Sequence, residues 1–370
     1  MRYWTSINKA GRFLIGCLCV FLVVGNSREL RAQGGVLSPY SAFGVGRELP
    51  YLNVRTMGLG GISVGLSGAR NVTPWNPASY VMGVDTLSVM FDIGFNLTLN
   101  SLRQNVNGTT LRNRSTGGGL GNMEFYFPVF KWWKMGVYLQ PYTEVAYATA
   151  VVRNDDPAHI GQTRQSHEGS GGLSRLGWGN AFGWGPVSVG VNLNYQFGSI
   201  EEIYSLAFLN DSLTSGAAQG RVSTETRLNG LGIDVGLLYA QPLRHGRLTI
   251  GASYSLDAKM YAKRSTVGQG YYTYNYQDTA FWSRRSKGTV LVPGTLRVGV
   301  SYDDGNDWLV GVDFTYGWWS RYKAFGEGVP YFRNTFQVAA GIELKSNFQS
   351  ASVMRRVAYR IGGRYGTYYA

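Results

Sequence analysis

Apolar and polar side chains alternate along much of this sequence. Between positions 87 and 99 every odd residue is apolar and most even residues are small or polar. Successive side chains of a strand point to opposite faces, so the segment predicts a strand with one apolar face and one polar face. The same period recurs within 187–197, 231–239, 248–256, 296–302, 308–316, 336–344 and 357–365.

The alternation predicts about eleven strands from residue 84 onward. The connections at one end of these strands are short, whereas those at the other end are longer and polar. Outer-membrane barrels have short periplasmic turns and long external loops. We therefore predict an all-β fold, a transmembrane antiparallel β-barrel over residues 84–370. The predicted long loops are 102–114, 152–169, 209–220, 267–280 and 321–330.

The composition agrees with a barrel and not with a bundle of membrane helices. Glycine is abundant at 51 residues, tyrosine numbers 25, and aromatic residues make up 14% of the chain. Beyond the first 25 residues, no uncharged apolar stretch approaches the roughly 20 residues that a spanning helix needs. Only helices and closed barrels satisfy every backbone polar group in hydrocarbon, so a membrane protein of this composition is expected to be a barrel.

The N-terminus predicts a secretory signal peptide over residues 1–32. Three basic residues precede an apolar run at 13–24, and cleavage is expected after Ala32. Both cysteines lie within this segment, so the mature chain would have no disulfide, thiolate metal site or cysteine nucleophile. It would keep 30 basic and 21 acidic residues. That surplus indicates lipopolysaccharide, an anionic solute or an acidic partner.

Residues 33–83 do not alternate and are rich in glycine and proline. Such sequence predicts a compact irregular segment, which we interpret as a hatch folded into the pore, where its backbone groups pair with a polar lumen. The candidate ligand and hatch residues are Phe43, Met57, Trp75, Asn76, Pro77 and Ala78.

Three short motifs in the hatch carry a family resemblance. Residues 38–46 (SPYSAFGVG), 53–61 (NVRTMGLGG) and 76–80 (NPASY) resemble, in this order, an N-terminal signature of outer-membrane proteins from Bacteroidota. Asn76-Pro77-Ala78 also resembles the Asn-Pro-Ala element in the hatch of the long-chain fatty-acid transporter family. The resemblance implies a barrel of about 14 strands in the Gram-negative outer membrane. The predicted strands are about three fewer than this number, so we expect an unclosed barrel or a chain cut short.

The resemblance implies uptake of hydrophobic or amphipathic small molecules through a hatch-gated channel. The alternative is a plug or shuttle-type subunit of the type IX secretion translocon, which the basic surplus and the missing strands favour. A passive porin is a weaker hypothesis, because the hatch would obstruct free diffusion. The expected partners are outer-membrane lipid, lipopolysaccharide and a hydrophobic small molecule, with a large translocon barrel under the alternative. Nucleic acid is not expected for an exported chain.

The sequence offers no catalytic or metal-binding motif. Its three histidines, at 159, 167 and 245, have no carboxylate or histidine at ligand spacing. A wall-embedded serine hydrolase would need a serine beside a histidine at a strand end, and none is indicated. We therefore predict no enzyme activity, no metal and no cofactor.

Overall fold

The computed structural model describes residues 38–49, 53–68, 72–84, 88–106, 109–153, 162–209, 219–271, 282–347, 349–350 and 352–370. The predicted signal peptide, including its cleavage site at Ala32, lies outside these residues, as does Leu87 at the start of the first alternating segment. None of the helices in the described part is long and apolar enough to cross a bilayer.

Two short helices lie in the N-terminal part, and strands make up most of the rest. The helices are α1 (Val54–Gly58) and α2 (Ser79–Gly83). The strands are β1 (Arg47–Glu48), β2 (Met90–Val106), β3 (Thr109–Phe130), β4 (Trp133–Arg153), β5 (Thr163–Trp184), β6 (Val187–Phe208), β7 (Gln219–Leu243), β8 (Gly246–Ser255), β9 (Ala258–Tyr271), β10 (Trp282–Val292), β11 (Thr295–Asp303), β12 (Trp308–Gly317), β13 (Lys323–Ala324), β14 (Glu327–Gly328), β15 (Thr335–Leu344) and β16 (Tyr359–Gly366).

The strands form one antiparallel sheet in which chain neighbours pair. Its main path is β2-β3-β4-β5-β6-β7-β8-β11-β12-β15-β16, eleven strands. β8 and β9 are the two halves of one predicted strand, as are β10 and β11, because the chain bends at residues 256–257 and 293–294. The prediction of an all-β barrel fold is confirmed.

The five predicted loops are each wrong in part, because strands extend into all of them, and two of them are changed in kind. Residues 102–114 were expected to form a loop, but β2 and β3 continue until only residues 107–108 separate them. The strands there carry polar residues on both faces, so alternation gives no signal although backbone pairing persists. Residues 321–330 contain β13 and β14, two short strands, the first of which pairs with β10.

The apolar face of the sheet lies outside. On β6, Val191 and Leu193 have 47% and 44% of their surface exposed, whereas Asn192 and Asn194 between them are fully buried. A soluble two-layer sheet would bury its apolar rows and expose its polar ones. The inverted arrangement is the one expected of strands that face lipid on one side and a filled interior on the other.

The sheet is open among the described residues. Its path ends at β2 on one side and at β16 on the other, and these two strands are not paired with each other. They also differ in length, with 17 residues in β2 and 8 in β16. This open pairing is compatible with both expectations from the strand count, an unclosed barrel and a chain cut short.

Candidate functional site in the barrel interior

Residues 38–84, here called the N-terminal segment, pack against the inward face of the sheet through a row of glycines. Each glycine of this row lies where its strand meets the segment's backbone or side chains. A Cβ atom on Gly251, for example, would lie 2.0 Å from the carbonyl oxygen of Val64, so only glycine permits this approach. The glycine row consists of Gly190, Gly236, Gly251, Gly299, Gly311, Gly341 and Gly362, on seven different strands.

The Asn-Pro-Ala motif is a structural joint between the segment and the wall. Asn76 donates from Nδ2 to the carbonyl oxygens of Val64 (2.8 Å) and Leu237 (3.2 Å), and its Oδ1 accepts from the Ala78 amide at 3.2 Å. The Ser188 hydroxyl of β6 donates to the Ala78 carbonyl at 2.9 Å. Both ends of the Asn76 amide are therefore satisfied in a site from which water is excluded.

A second joint links α2 to β6. The Tyr80 hydroxyl donates to Oδ1 of Asn192 at 2.8 Å, and Nδ2 of Asn192 donates to the Pro74 carbonyl at 2.8 Å. Tyr80 is fully buried and its ring lies 4.9 Å from that of Tyr126 on β3. The inward asparagine of β6 thus fixes two points of the segment at once.

Beside Trp75 lies a buried group of charged and aromatic side chains, here called the cage. The guanidinium carbon of Arg297 lies 3.8 Å above the Trp75 ring, and that of Arg175 lies 4.2 Å above the Tyr142 ring. Stacking of this kind stabilises a cation that has lost its water. The cage consists of Glu48, Trp75, Tyr142, Arg175, Asp234 and Arg297.

Opposite charges balance within the cage. Arg175 faces Asp234 across 3.5 Å, with both side chains at least 95% buried. The Tyr142 hydroxyl donates to Glu48 at 3.2 Å, which ties the segment's β1 to the wall strand β4. Buried ions are tolerated only when paired and hydrogen-bonded, so the cage is an electrostatic joint between the segment and the wall.

The cage is tightly packed but not fully hydrogen-bonded. Nε of Arg175 and Oε1 of Gln196 have no hydrogen-bond partner, and both residues line a small cavity at its edge. The cavity has about 10 Å³ of space for the centre of a water-sized sphere, which is room for about one water molecule. The conformation described here therefore holds no cavity at the cage for a larger ligand.

Further polar contacts hold the segment on the opposite side. Asp313 of β12 accepts hydrogen bonds from the backbone amides of Ser63 (2.6 Å) and Val64 (2.8 Å). Arg55 of α1 forms an ion pair with the buried Glu343 of β15, which also pairs with Arg360 of β16 at 2.8 Å. Charges on three consecutive strands of the path thus converge on the segment.

Aromatic side chains pack around the beginning of the segment. The Trp319 and Tyr369 rings stack with centroids 4.0 Å apart, and both residues are at least 98% buried. The Tyr369 hydroxyl lies 2.6 Å from the Gly46 carbonyl oxygen and 2.9 Å from that of Phe43, and donates to them. Residues near the C-terminus therefore help to hold the beginning of the N-terminal segment.

The sheet has an interruption next to the cage, here called the wall break. β7 pairs with β9 as far as Gly230 and with β8 from Asp234, so residues 231–233 face the bend at 256–257. The neighbouring strand bends at 293–294. Isolated hydrogen bonds bridge the gap. The Leu256 amide donates to the Ile233 carbonyl, and the Gly294 amide donates to the Asp257 carboxylate.

The six residues predicted from the sequence do not form one group. Trp75, Asn76, Pro77 and Ala78 lie together and are buried. Phe43 is 38% exposed near the aromatic end, with its ring 6.0 Å from that of Tyr331. Met57 on α1 is 58% exposed.

The charged residues of the wall were not predicted, although the sequence carried a signal for them. Asp234, Arg297 and Asp313 each stand alone between two apolar residues in an alternating strand. A single charged side chain in the middle of a membrane-spanning strand must point inward and pair with another group. It therefore marks a contact in the interior. Among the described residues, no three His, Cys, Asp or Glu side chains are grouped as a metal ion would require.

Solved structures with a similar fold include proteins described as transporters and channels. The toluene transporter TodX of P. putida has 14% identity, with 86% of this chain and 84% of that chain covered and a TM-score of 0.54. The toluene transporter TbuX of Ralstonia pickettii has 15% identity, 86% and 87% coverage and a TM-score of 0.51. The monoaromatic hydrocarbon channel CymD has 15% identity, 89% and 85% coverage and a TM-score of 0.53. At these identities the likeness concerns the fold alone.

A search of curated proteins finds no match to this sequence. The model of the BamG family, in contrast, matches residues 14–369 and thus nearly the whole chain. This match spans the open antiparallel sheet and the segment that occupies its interior. The chain therefore belongs to the BamG family, and it has the fold of FadL-type outer-membrane barrels.

Proposed function

We propose that the chain is an outer-membrane channel for hydrophobic or amphipathic small molecules, with residues 33–83 acting as its hatch. The observation that supports this most is the position of the N-terminal segment, which packs on the inward face of seven strands. The fold is shared with proteins described as toluene transporters and a monoaromatic hydrocarbon channel. A channel of this kind must keep the membrane sealed and still release cargo, which requires a movable closure.

The cage is the proposed position for the cargo. Trp75 and Tyr142 offer aromatic faces, and Nε of Arg175 and Oε1 of Gln196 are a donor and an acceptor without partners. An apolar surface with a few polar groups is the usual composition of a small-molecule site. Because the cavity has room for about one water molecule only, cargo must displace Trp75 and the chain around it.

The wall break is the proposed exit toward lipid. Its residues Ile233, Leu256 and Pro293 also line the cavity at the cage, so the two features are continuous. Since only isolated hydrogen bonds bridge the gap, the wall can widen there at a small cost in strand pairing. Phe43 and Met57, which lie away from the cage, are assigned no contact with cargo in this proposal.

A disulfide that locks the segment to the wall tests the gating. Arg47 of β1 lies directly opposite Glu144 of β4, so Arg47→Cys with Glu144→Cys places two thiols across an antiparallel pair. Oxidation is expected to lower uptake of a labelled long-chain fatty acid or labelled toluene at least tenfold in cells, and reduction is expected to restore it.

A matched control places the disulfide within the wall. Val191→Cys with Val235→Cys joins β6 to β7 without touching the segment, and its oxidation should leave uptake unchanged. Uptake that is equal in the oxidised and reduced forms of the first variant would contradict hatch gating. Absence of uptake in both forms and in the unmodified chain would contradict transport itself.

The alternative, a plug or shuttle-type subunit of the type IX translocon, is favoured by one observation. The interior is closed by buried joints and holds no sizeable cavity at the cage, as a barrel with a purely structural role would. Absence of uptake together with co-purification of the chain with a very large translocon barrel would support this function. Lipid and lipopolysaccharide contact the outward face under either proposal.

A further inference from the structure

Three basic side chains lie side by side on the outward face of neighbouring strands, and they are here called the basic row. Arg227 of β7 lies directly opposite Lys263 of β9, which in turn lies directly opposite Lys287 of β10. Residues that oppose each other in this way point to the same face of a sheet. All three residues are exposed.

The basic row lies where the outward face stops being apolar. On β7 the outward residues are apolar from Leu231 to Tyr239. They become polar at Asn229 and Arg227, in the direction of the connection at 209–218, which is one of the longer ones. A lysine or arginine on the lipid side is costly at the bilayer midplane and tolerated near the interface, and long connections are external. The basic row therefore lies at the headgroup level of the outer leaflet.

The inward face at this level is filled with apolar side chains. Leu228, Met260 and Ala262 are each at least 97% buried. The basic row therefore cannot turn into the interior and is available to molecules beside the wall. Tyr261, two residues from Lys263 on the outward face, is 69% exposed. A ring with a polar tip is favoured where hydrocarbon meets headgroups.

The protein compensates the charge of the basic row only in part. Arg227 forms an ion pair with Glu225 of its own strand at 2.7 Å, and Glu201 of β6 lies directly opposite Glu225. Both carboxylates lie on the β6 and β7 side of the row. Within the part of the chain that the structure describes, Lys263 and Lys287 form no ion pair. Like charges that oppose each other across strands are destabilising, so the row favours the binding of an anion.

We propose that the basic row binds the phosphate groups of lipopolysaccharide in the outer leaflet. Arg285 and Lys259 are exposed on the same face and extend the positive charge along β10 and β9. Neighbouring strands lie about 4.8 Å apart, so the row is about 10 Å long. That length exceeds one phosphate group and suits the phosphorylated disaccharide of lipid A, whose acyl chains would lie on the apolar residues from Leu231 onward. The site is separate from the cage and does not depend on the proposed transport function.

Titration of the purified full chain in detergent with bisphosphorylated lipid A tests the site. Lys263→Gln with Lys287→Gln removes two charges, and because two charge-assisted contacts are lost we expect the affinity to fall about tenfold or more. Lys263→Arg with Lys287→Arg keeps both charges and should retain binding.

The matched control removes the same charge at the other end of the strands. Lys131→Gln with Arg244→Gln changes two exposed residues in two-residue connections, between β3 and β4 and between β7 and β8, and it should leave the affinity unchanged. Since Lys263 and Lys287 are exposed, their glutamine variant should fold, which circular dichroism checks. If it does not fold, the single variants Lys263→Gln and Lys287→Gln are each expected to weaken binding about threefold.

The source of the phosphate is distinguished by two further ligands. Lipid A from which the phosphates have been removed, and phosphatidylglycerol, which has one phosphate, should both bind more weakly than bisphosphorylated lipid A. Equal affinity for any of these lipids, an affinity that Lys263→Gln with Lys287→Gln does not change, or an equal loss in the control variant would each overturn the proposal. Uptake of cargo is measured separately, so failure of this site is distinguishable from failure of transport.

Discussion

Strands β6 and β2 have the same alternating sequence pattern but different surroundings. On β6, inward Ser188, Asn192 and Asn194 are fully buried against the N-terminal segment or its neighbours, and the outward residues are partly shielded. On β2, inward Asn96 and Thr98 are exposed, and outward Leu97 is 73% exposed. A period of two therefore tells which face of a strand is apolar, but not what covers the polar face or how many neighbours the strand has.

The difference arises from how the segment is held. The glycine row lies on strands β6, β7, β8, β11, β12, β15 and β16, whereas Gly94, Gly118 and Gly121 of β2 and β3 face atoms of those same two strands. The cage and the joints at Asn76 and Asp313 likewise involve β4 and later strands. The N-terminal segment is thus held by β4 and the later strands, which are here called the clamped side. The side formed by β2 and the part of β3 that pairs with it is here called the open side.

The largest expected effect is the loss of one buried charge on the clamped side. Asp234→Leu removes the carboxylate that pairs with the buried Arg175, and such a change typically costs about 3–5 kcal/mol of unfolding free energy. Adding Arg175→Met should recover most of it, because an apolar pair replaces the ion pair. Urea unfolding in phospholipid vesicles, followed by tryptophan fluorescence, measures both.

The matched control lies on the open side. Asp92 of β2 is inward but only partly buried, so Asp92→Leu should cost less than about 1 kcal/mol. Equal costs for Asp92→Leu and Asp234→Leu would show that the two sides do not differ in the way described.

The next effect concerns the glycine row. Gly251→Ala places a methyl group 2.0 Å from the Val64 carbonyl oxygen, so the backbone of the segment must move. Overpacking of this kind costs about 1–3 kcal/mol. Gly363→Ala on β16 is the control, since its added methyl group meets nothing within 4 Å, and should change stability by less than about 0.5 kcal/mol. Equal destabilisation by both would mean that strand propensity, and not contact with the segment, explains the glycines.

Much of the wall could be predicted from the sequence, and less of the interior. Alternation is a local property, so strands such as β6 and β12 were found within a few residues. It fails for residues 102–114, where polar residues occupy both odd and even positions of the sequence, and for the bends at 256–257 and 293–294. The Asn-Pro-Ala motif led to the joint at Asn76. The cage was missed because Glu48, Arg175 and Arg297 are far apart in the chain, and only the folded structure brings them together.

A smaller effect is expected in the rates of amide hydrogen exchange, which should differ between the two sides. Asp313→Asn keeps an oxygen acceptor for the Ser63 and Val64 amides but removes its charge, which weakens these bonds by about 1 kcal/mol. Exchange in a peptide covering 60–66 should become about fivefold faster, and exchange in one covering 94–99 should not change. Faster exchange in both peptides would indicate that the clamp extends to β2.

The smallest effect lies outside both sides, in the turn between β11 and β12. Partial burial raises the pKa of Asp304, but hydrogen bonds from the amides of Asn306, Asp307 and Trp308, with the charge of Lys345, outweigh it and hold the pKa below its usual value. The stabilisation is therefore complete above the unfolded-state pKa of about 4 and disappears as the pH falls through the lowered folded-state pKa. Urea midpoints should decline slightly over that range, and Asp304→Asn should remove this component. A decline that is unchanged in Asp304→Asn would show that Asp304 does not contribute this component of the stability.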